Sequence, residues 1–328
     1  MIISKTPLRA SLFGGGTDFK DYYHNSKYGY GSVISAALDM YVYIIVNKRF
    51  DDKIRLVYFG NELVDDVNDI KHNIIREALK LTKITKGIEI IYLANLPMTN
   101  LGLGLASSSA LTVGVLNALH KYKNEPVTKE QLAREAIDIE LNKLKQQIGI
   151  QDQYAVSYGG FHKYIFNKDD TVDIKPINLT KEQKEKLLNH LMLFYTGNPR
   201  DSKQIFKEQK ETTKNRKELL DTMIDITEEA IEYLKKEKYN KLGKLLDKAW
   251  NIKKQFASGI TNKEIDNMYK LALQNGALGG KVLGAGGGGF LLLYVPITKK
   301  NKVKKALSNY TQVNFNISNT GSQITYQD

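Results

Sequence analysis

The chain has 328 residues, of which 42% are hydrophobic and 26% charged, and it carries a formal net charge of +12. That length suits two domains, the composition is that of a folded globular protein, and no apolar run approaches the roughly 20 residues of a membrane span. Cysteine is absent, which excludes disulfides, Cys-ligated zinc and thiol nucleophiles and makes the cytoplasm the expected compartment.

Taken in chain order, Met1 to Pro7 reads as a first strand and not as a leader. Residues 36–47 and 53–59 are rich in β-branched and aromatic residues and predict two more strands, 69–81 a helix, and 87–93 a further strand. Helices are expected at 107–123 and 128–146, the second opening with the capping-box pattern Thr128-Lys-Glu-Gln131, and a strand at 161–166. A shift near 180–190 divides the chain into expected domains 1–185 and 186–328. Beyond it lie a strand at 191–197, one long charged amphipathic helix over 201–257, a helix at 263–273, a glycine-rich stretch at 276–289, a strand at 290–295, and a last helix and strand. Helices and strands therefore mix in both halves, an α+β pattern. The lysine excess is interleaved with glutamate in runs such as 203–210 and 232–241, as on solvated helix faces. Neither nucleic acid nor membrane is expected as a partner, while a basic surface suits phosphorylated small molecules.

Four groups of residues carry chemistry. Gly102-Leu-Gly-Leu-Ala-Ser-Ser-Ser-Ala110 runs directly into an apolar helix. Glycines that free backbone N–H groups, three hydroxyls and a helix start make a cradle for an anion such as a nucleotide phosphate. The plainer reading is a serine-rich N-cap. Residues 276–289 hold eight glycines in fourteen positions. Gly284, Gly286 and Gly289 match G-x-G-x-x-G only formally, because the strand follows the motif where a dinucleotide fold needs it to precede. Close backbone approach, to a ligand or to another loop, accounts for so many glycines. In Gly149-Ile-Gln-Asp-Gln-Tyr-Ala155, Asp152 is either a carboxylate that receives or orients a hydroxyl proton, or the cap of the following helix. Glu140 is either a ligand or a surface helix residue. Arg9 and Thr17-Asp18 bracket Gly14-Gly15-Gly16, a cation and a hydroxyl-binding pair around a flexible turn. The five histidines show no metal spacing.

Three motifs in this order, Pro7-Leu-Arg-Ala-Ser-Leu-Phe-Gly-Gly-Gly-Thr-Asp18, Gly104-Leu-Ala-Ser-Ser-Ser-Ala110 and Leu283-Gly-Ala-Gly-Gly-Gly-Gly-Phe290, resemble those of the galacto-, homoserine, mevalonate and phosphomevalonate (GHMP) kinases. With Gly149-x-Gln-Asp-Gln-Tyr-Ala and Ser157-Tyr-Gly-Gly-Phe161, the match is most similar to the branch that phosphorylates the anomeric hydroxyl of D-glycero-D-manno-heptose 7-phosphate, a step toward GDP-heptose and surface polysaccharide. The resemblance implies a two-domain GHMP kinase fold with a ferredoxin-like C-terminal domain, with ATP and Mg²⁺ as cofactors and a small sugar phosphate as partner. It says nothing of oligomeric state. It also implies Asp152 and Arg9 as the catalytic pair. Gly102, Gly104, Ala106, Ser107, Ser108 and Ser109 fall at ATP, Ser108 and Glu140 at the metal. Gly15, Gly16, Thr17, Asp18, Gly286, Gly287 and Arg200 fall at the sugar phosphate. An anomeric kinase of another sugar such as fucose, and a non-catalytic ligand-binding relative, are the alternatives. One departure stands out: the loop after Pro97 is longer than the family pattern. Either Gly102-Leu-Gly104 is the family triplet with an insertion, or Gly104-Leu-Ala106 is the triplet with alanine at its last place. The second register keeps the serines against the helix and predicts a strained alanine if its φ is positive.

Overall fold

The computed structural model describes residues 1–96, 103–197, 202–212 and 216–328. In chain order it forms β1 (Ile2–Phe13), α1 (Lys20–Tyr23), β2 (Tyr30–Lys48), β3 (Ile54–Val57), β4 (Asn61–Val64), α2 (Asn73–Leu81), β5 (Ile88–Ala94), α3 (Ser107–Tyr122) and α4 (Lys129–Ile137). There follow α5 (Gln151–Tyr158), β6 (Phe161–Asn167), β7 (Val172–Pro176), α6 (Lys181–Asn189), β8 (Leu191–Tyr195), α7 (Ser202–Thr212), α8 (Lys217–Lys235) and α9 (Tyr239–Lys253). The chain ends with α10 (Lys263–Gln274), β9 (Gly279–Val282), β10 (Phe290–Tyr294), α11 (Lys300–Ala306), β11 (Gln312–Val313) and β12 (Gln323–Gln327).

Two expected helices are not single helices. The stretch read at 128–146 is α4 running into a π-helical turn, Asp138–Lys143. Within the stretch read at 201–257 the described residues include α7, α8 and α9, and α8 is cut from α9 where Glu237 adopts φ +50. That residue turns the chain left-handed with no glycine or proline to announce it.

An eight-stranded sheet has the order β12-β1-β2-β5-β3-β4, with β6 and β7 continuing from β2. The long β2 pairs β6 along its first half and β5 along its second, so one strand spans two neighbours. Residues 31–38 of β2 are buried on both faces, while 40–48 alternate. Double burial is what a strand covered by helices on both sides shows, and α3 and α8 both pack on β1 and β2. Nearly every residue of α3 is buried. It lies close on the sheet because Gly114 has no side chain: a Cβ there would sit 3.0 Å from Thr6 Oγ1. Ser4 Oγ donates to Gly114 O at 2.7 Å and fixes the helix axially.

The second sheet has the antiparallel order β11-β8-β10-β9. Numbered within itself, that is 4-1-3-2, the ferredoxin-like order the resemblance implies. The last strand, β12, crosses the expected 185/186 division and pairs antiparallel with β1. Among the described residues no helix is long and apolar enough to cross a membrane.

Candidate active site

The site is built around β1. Pro7, which has no N–H to give a ladder, sits at a register shift between Pro7 and Leu8 in the β1–β2 pairing. One residue on, Arg9 is 2% exposed. Its Nε donates to Asp152 Oδ1 and its Nη2 to Oδ2, both at 2.8 Å, a bidentate charge-assisted pair. Its Nη1 donates to Gly104 O at 2.7 Å, and its backbone N–H to Leu105 O at 3.0 Å. Asp152 lies in the first turn of α5, where a carboxylate suits the helix dipole. It lines a cleft together with Arg9, Asp18 and Lys281.

Asp18 faces the same cleft from the loop after β1 and is 2% exposed. It accepts from Gly16 N at 3.1 Å and from Gln151 N at 3.3 Å. Burial raises its pKa above the usual carboxylate value, and the negative charge of Asp152 adds to this. Gly149 must be glycine here, because a Cβ would fall 1.9 Å from Asp18 Oδ2. Across the cleft, Lys281 of β9 is 2% exposed and donates to Leu12 O at 3.1 Å. Burial, reinforced by repulsion from Arg9, pulls its pKa down to about 7, against the attraction of Asp18.

At the head of α3, Ala106 takes φ +62 as the residue before the helix, with Gly104 also left-handed at φ +80. The helix start is thus set by backbone conformation, and no side chain caps it. Glu140, on the π-helical turn, is fully buried, so it is not the surface glutamate of the plainer reading. Ser108 Oγ donates to its Oε1, and Oε2 accepts from Ser109 Oγ at 2.8 Å and Gln153 Nε2 at 2.7 Å. Burial pushes Glu140 up to about 7 despite these three donors. Among the described residues no group of three or more His, Cys, Asp or Glu gathers to hold a metal. One carboxylate and one hydroxyl therefore fit a Mg²⁺ that takes its remaining oxygens from phosphates and water, and do not fit a dedicated protein cage.

Not every expected site residue meets the cleft. Thr17 is fully buried, its hydroxyl spent on Gly14 O and Ser32 O at 2.8 Å each and on Ser32 N at 3.0 Å, so it holds the turn and has nothing left for a ligand. Gly286 and Gly287 lie in the β9–β10 hairpin against another loop. Gly287 N donates to Ile260 O, and a Cβ on Gly286 would meet that oxygen at 2.6 Å. Of that glycine stretch, Gly284 lines the cleft. Gly15 and Gly16 line it as well, whereas Ser107 is buried with its hydroxyl unpartnered. Gly102 and Arg200 lie outside the described residues. Sequence reasoning missed Lys281, Lys253 and Gln153. The glutamines flanking Asp152, and a lysine between glycine and an apolar strand, were the available signals.

Residues 71–160 match the model of the GHMP kinases N terminal domain, and residues 230–313 that of the GHMP kinases C terminal domain. A D-glycero-alpha-D-manno-heptose 7-phosphate kinase of Campylobacter jejuni is 32% identical over 324 residues, covering 93% of each chain. The crystal structure of a putative sugar kinase from Campylobacter jejuni aligns with a TM-score of 0.75 at 28% identity, over 98% of this chain and 97% of its own. That of a D-glycero-D-manno-heptose 1-phosphate kinase from Bacteroides thetaiotaomicron gives a TM-score of 0.75 at 22% identity over 100% of both chains, a likeness of fold. An arginine that clamps a carboxylate and also holds the glycine-serine helix start, together with these matches, places the chain among the GHMP kinases, ATP-dependent phosphotransferases that act on a hydroxyl group.

Proposed function

We propose that this kinase transfers the γ-phosphoryl group of Mg·ATP to the anomeric hydroxyl of D-glycero-D-manno-heptose 7-phosphate, giving the 1,7-bisphosphate and ADP. The observation that carries this reading is the 32% identity to the Campylobacter jejuni heptose 7-phosphate kinase over 93% of both chains. In this reading the triphosphate lies along residues 104–109, against the free N–H groups and positive end of α3. Ser108 and Glu140 hold Mg²⁺, which when bound neutralises charge on the phosphates. Asp18 accepts a hydrogen bond from a sugar hydroxyl. Asp152 accepts the proton of the attacking hydroxyl as its oxygen bonds to the γ-phosphorus and the bond to the β–γ bridging oxygen breaks, releasing ADP. Arg9 keeps the carboxylate aimed through its bidentate pair, and its positive charge offsets charge on the phosphoryl group in flight.

The test is ADP release with Mg·ATP and the heptose phosphate, with ribose, galactose, fucose and mevalonate in parallel. Turnover confined to the heptose phosphate is the expected result; turnover on another member of the panel instead would reassign the acceptor. In the same assay Asp152→Asn is expected to cut kcat about 100- to 10,000-fold while calorimetry still detects ATP binding. Near-full turnover by that variant would remove Asp152 from its role.

A further inference from the structure

Two buried polar side chains of the catalytic cleft take no part in the mechanism above. Ser11 lies two residues beyond Arg9 on β1 and so on the same face, and both line the cleft. Ser11 is buried, and its hydroxyl has no hydrogen-bond partner. Lys281 of β9 is buried on the same cleft. A lysine ammonium carries three N–H donors, and Leu12 O takes one of them. Buried polar groups are paired in native structures, so a hydroxyl left bare at a cleft is a place where a ligand completes the set.

The two groups converge on Gly15. A Cβ placed on that glycine would sit 3.8 Å from Ser11 Oγ and 4.0 Å from Lys281 Nζ, both ordinary contact distances. Its φ lies outside the left-handed region. Neither backbone nor packing therefore calls for glycine here. Its neighbours differ: a Cβ on Gly14 would fall 2.0 Å from Ser32 O, and Gly16 has φ +99. What a Cβ on Gly15 would take from the site is space. The cleft leaves a free volume of about 30 Å³, room for about two water-sized oxygens. That admits a hydroxyl and excludes a phosphate group. A hydroxyl also matches the protein groups in kind, since its oxygen accepts from Lys281 Nζ while its proton goes to Ser11 Oγ. Asp18 lines the same cleft, so an adjacent hydroxyl falls to its carboxylate.

We propose that Ser11 and Lys281, above Gly15, form the floor of the acceptor site and bind one sugar hydroxyl beside the one that Asp18 holds. They thereby fix the acceptor's position and make that hydroxyl a requirement. The proposal deepens the reading of the cleft as the sugar acceptor's site and rests on it.

The experiment follows ADP release with Mg·ATP and D-glycero-D-manno-heptose 7-phosphate. It compares wild type with Gly15→Ala, Ser11→Ala, Lys281→Met and the double variant of the last two. Each is first checked for a cooperative thermal transition, and calorimetry gives its affinity for ATP. Gly15→Ala adds a methyl group without strain or clash, so it should melt no lower than wild type. Acceptor KM should nevertheless rise about 10-fold or more in that variant. It should rise about 3- to 10-fold in Ser11→Ala and about 10- to 100-fold in Lys281→Met, with ATP affinity unchanged throughout. Because both groups hold one oxygen, the double variant should fall short of the product of the single effects. If Gly15→Ala and Lys281→Met both keep the wild-type acceptor KM, the hydroxyl site is overturned and the kinase reading stands. The same follows if Lys281→Met weakens ATP binding and leaves acceptor KM alone, which would assign the lysine to the nucleotide. If wild type turns over neither the heptose phosphate nor another sugar, the acceptor reading falls and the hydroxyl site with it.

Discussion

A lysine buried at the centre of an active cleft is the clearest electrostatic commitment in this chain. Lys281 has an ordinary value of 10.5 and is held down to about 7 in the fold. Between those two values the unfolded chain binds a proton that the folded chain refuses, so this group makes stability rise with pH from about 7 to about 10.5. Below pH 7 both states are charged and the penalty is at its full and constant size. Lys281→Met should therefore be more stable than wild type at pH 6–7, with a Tm gain of roughly 2–4 °C for each kcal/mol relieved. That gain should shrink steadily toward pH 10; a difference in Tm that ignores pH would contradict the assignment. Residues of this kind were the least legible in the sequence. Asp152 and Asp18 stood out because each sits in a motif, Glu140 entered only through the family resemblance, and the fold brings all three to one region. Lys281 sits in the short strand Gly279-Gly-Lys-Val282, inside a stretch whose glycines dominate the sequence reading. Whether a buried charge has a partner depends on elements distant in sequence, and local spacing does not encode that. Thr17 errs the other way: a hydroxyl beside a ligand residue looked available, and the backbone of Ser32 had already taken it.

At the scale of elements, the start of α3 was legible, and so was its weakness. The register with alanine as the last member of the triplet predicted strain if that residue turned left-handed, and Ala106 has φ +62 and ψ +37. An alanine in that region costs about 1–2 kcal/mol, and glycine gives back roughly half of it as unfolded-state entropy. Ala106→Gly is thus expected to stabilise the protein by about 0.5–1 kcal/mol, read from the urea midpoint at unchanged m-value. A lower midpoint would mean that the alanine methyl is packed well enough to outweigh its strain. The strands expected at 36–47, 53–59, 87–93 and 161–166 were legible because β-branched and aromatic residues cluster there, whereas the short β4 and β7 were not. The long helices were less so. Periodicity of charge and apolar residues continues through Glu237, where the backbone reverses its hand. The π-helical turn that carries Glu140 keeps nearly the same pattern as the α-helix before it. Periodicity locates a helical face and is nearly blind to the point where the winding changes.

The molecule as a whole is two sheets joined by helices that lean on both. The composition and alternation indicated this mixed class, whereas the pairing of β12 with β1, at opposite ends of the sequence, needed the folded chain to appear. One contact gains its meaning only at this scale. Arg9 grips the Asp152 carboxylate with Nε and Nη2 while its Nη1 holds the carbonyl of Gly104. On the proposed assignment, the acceptor's base and the nucleotide's loop therefore hang on a single planar group. If both subsites act through Arg9, occupancy of one changes affinity at the other, and by thermodynamic reciprocity the factor is the same in both directions. ADP should tighten acceptor binding about fivefold or more in calorimetry, and Arg9→Lys, which cannot span both anchors, should reduce that factor to one. Coupling of that size would make the arrival of the two substrates one linked event and not two separate ones.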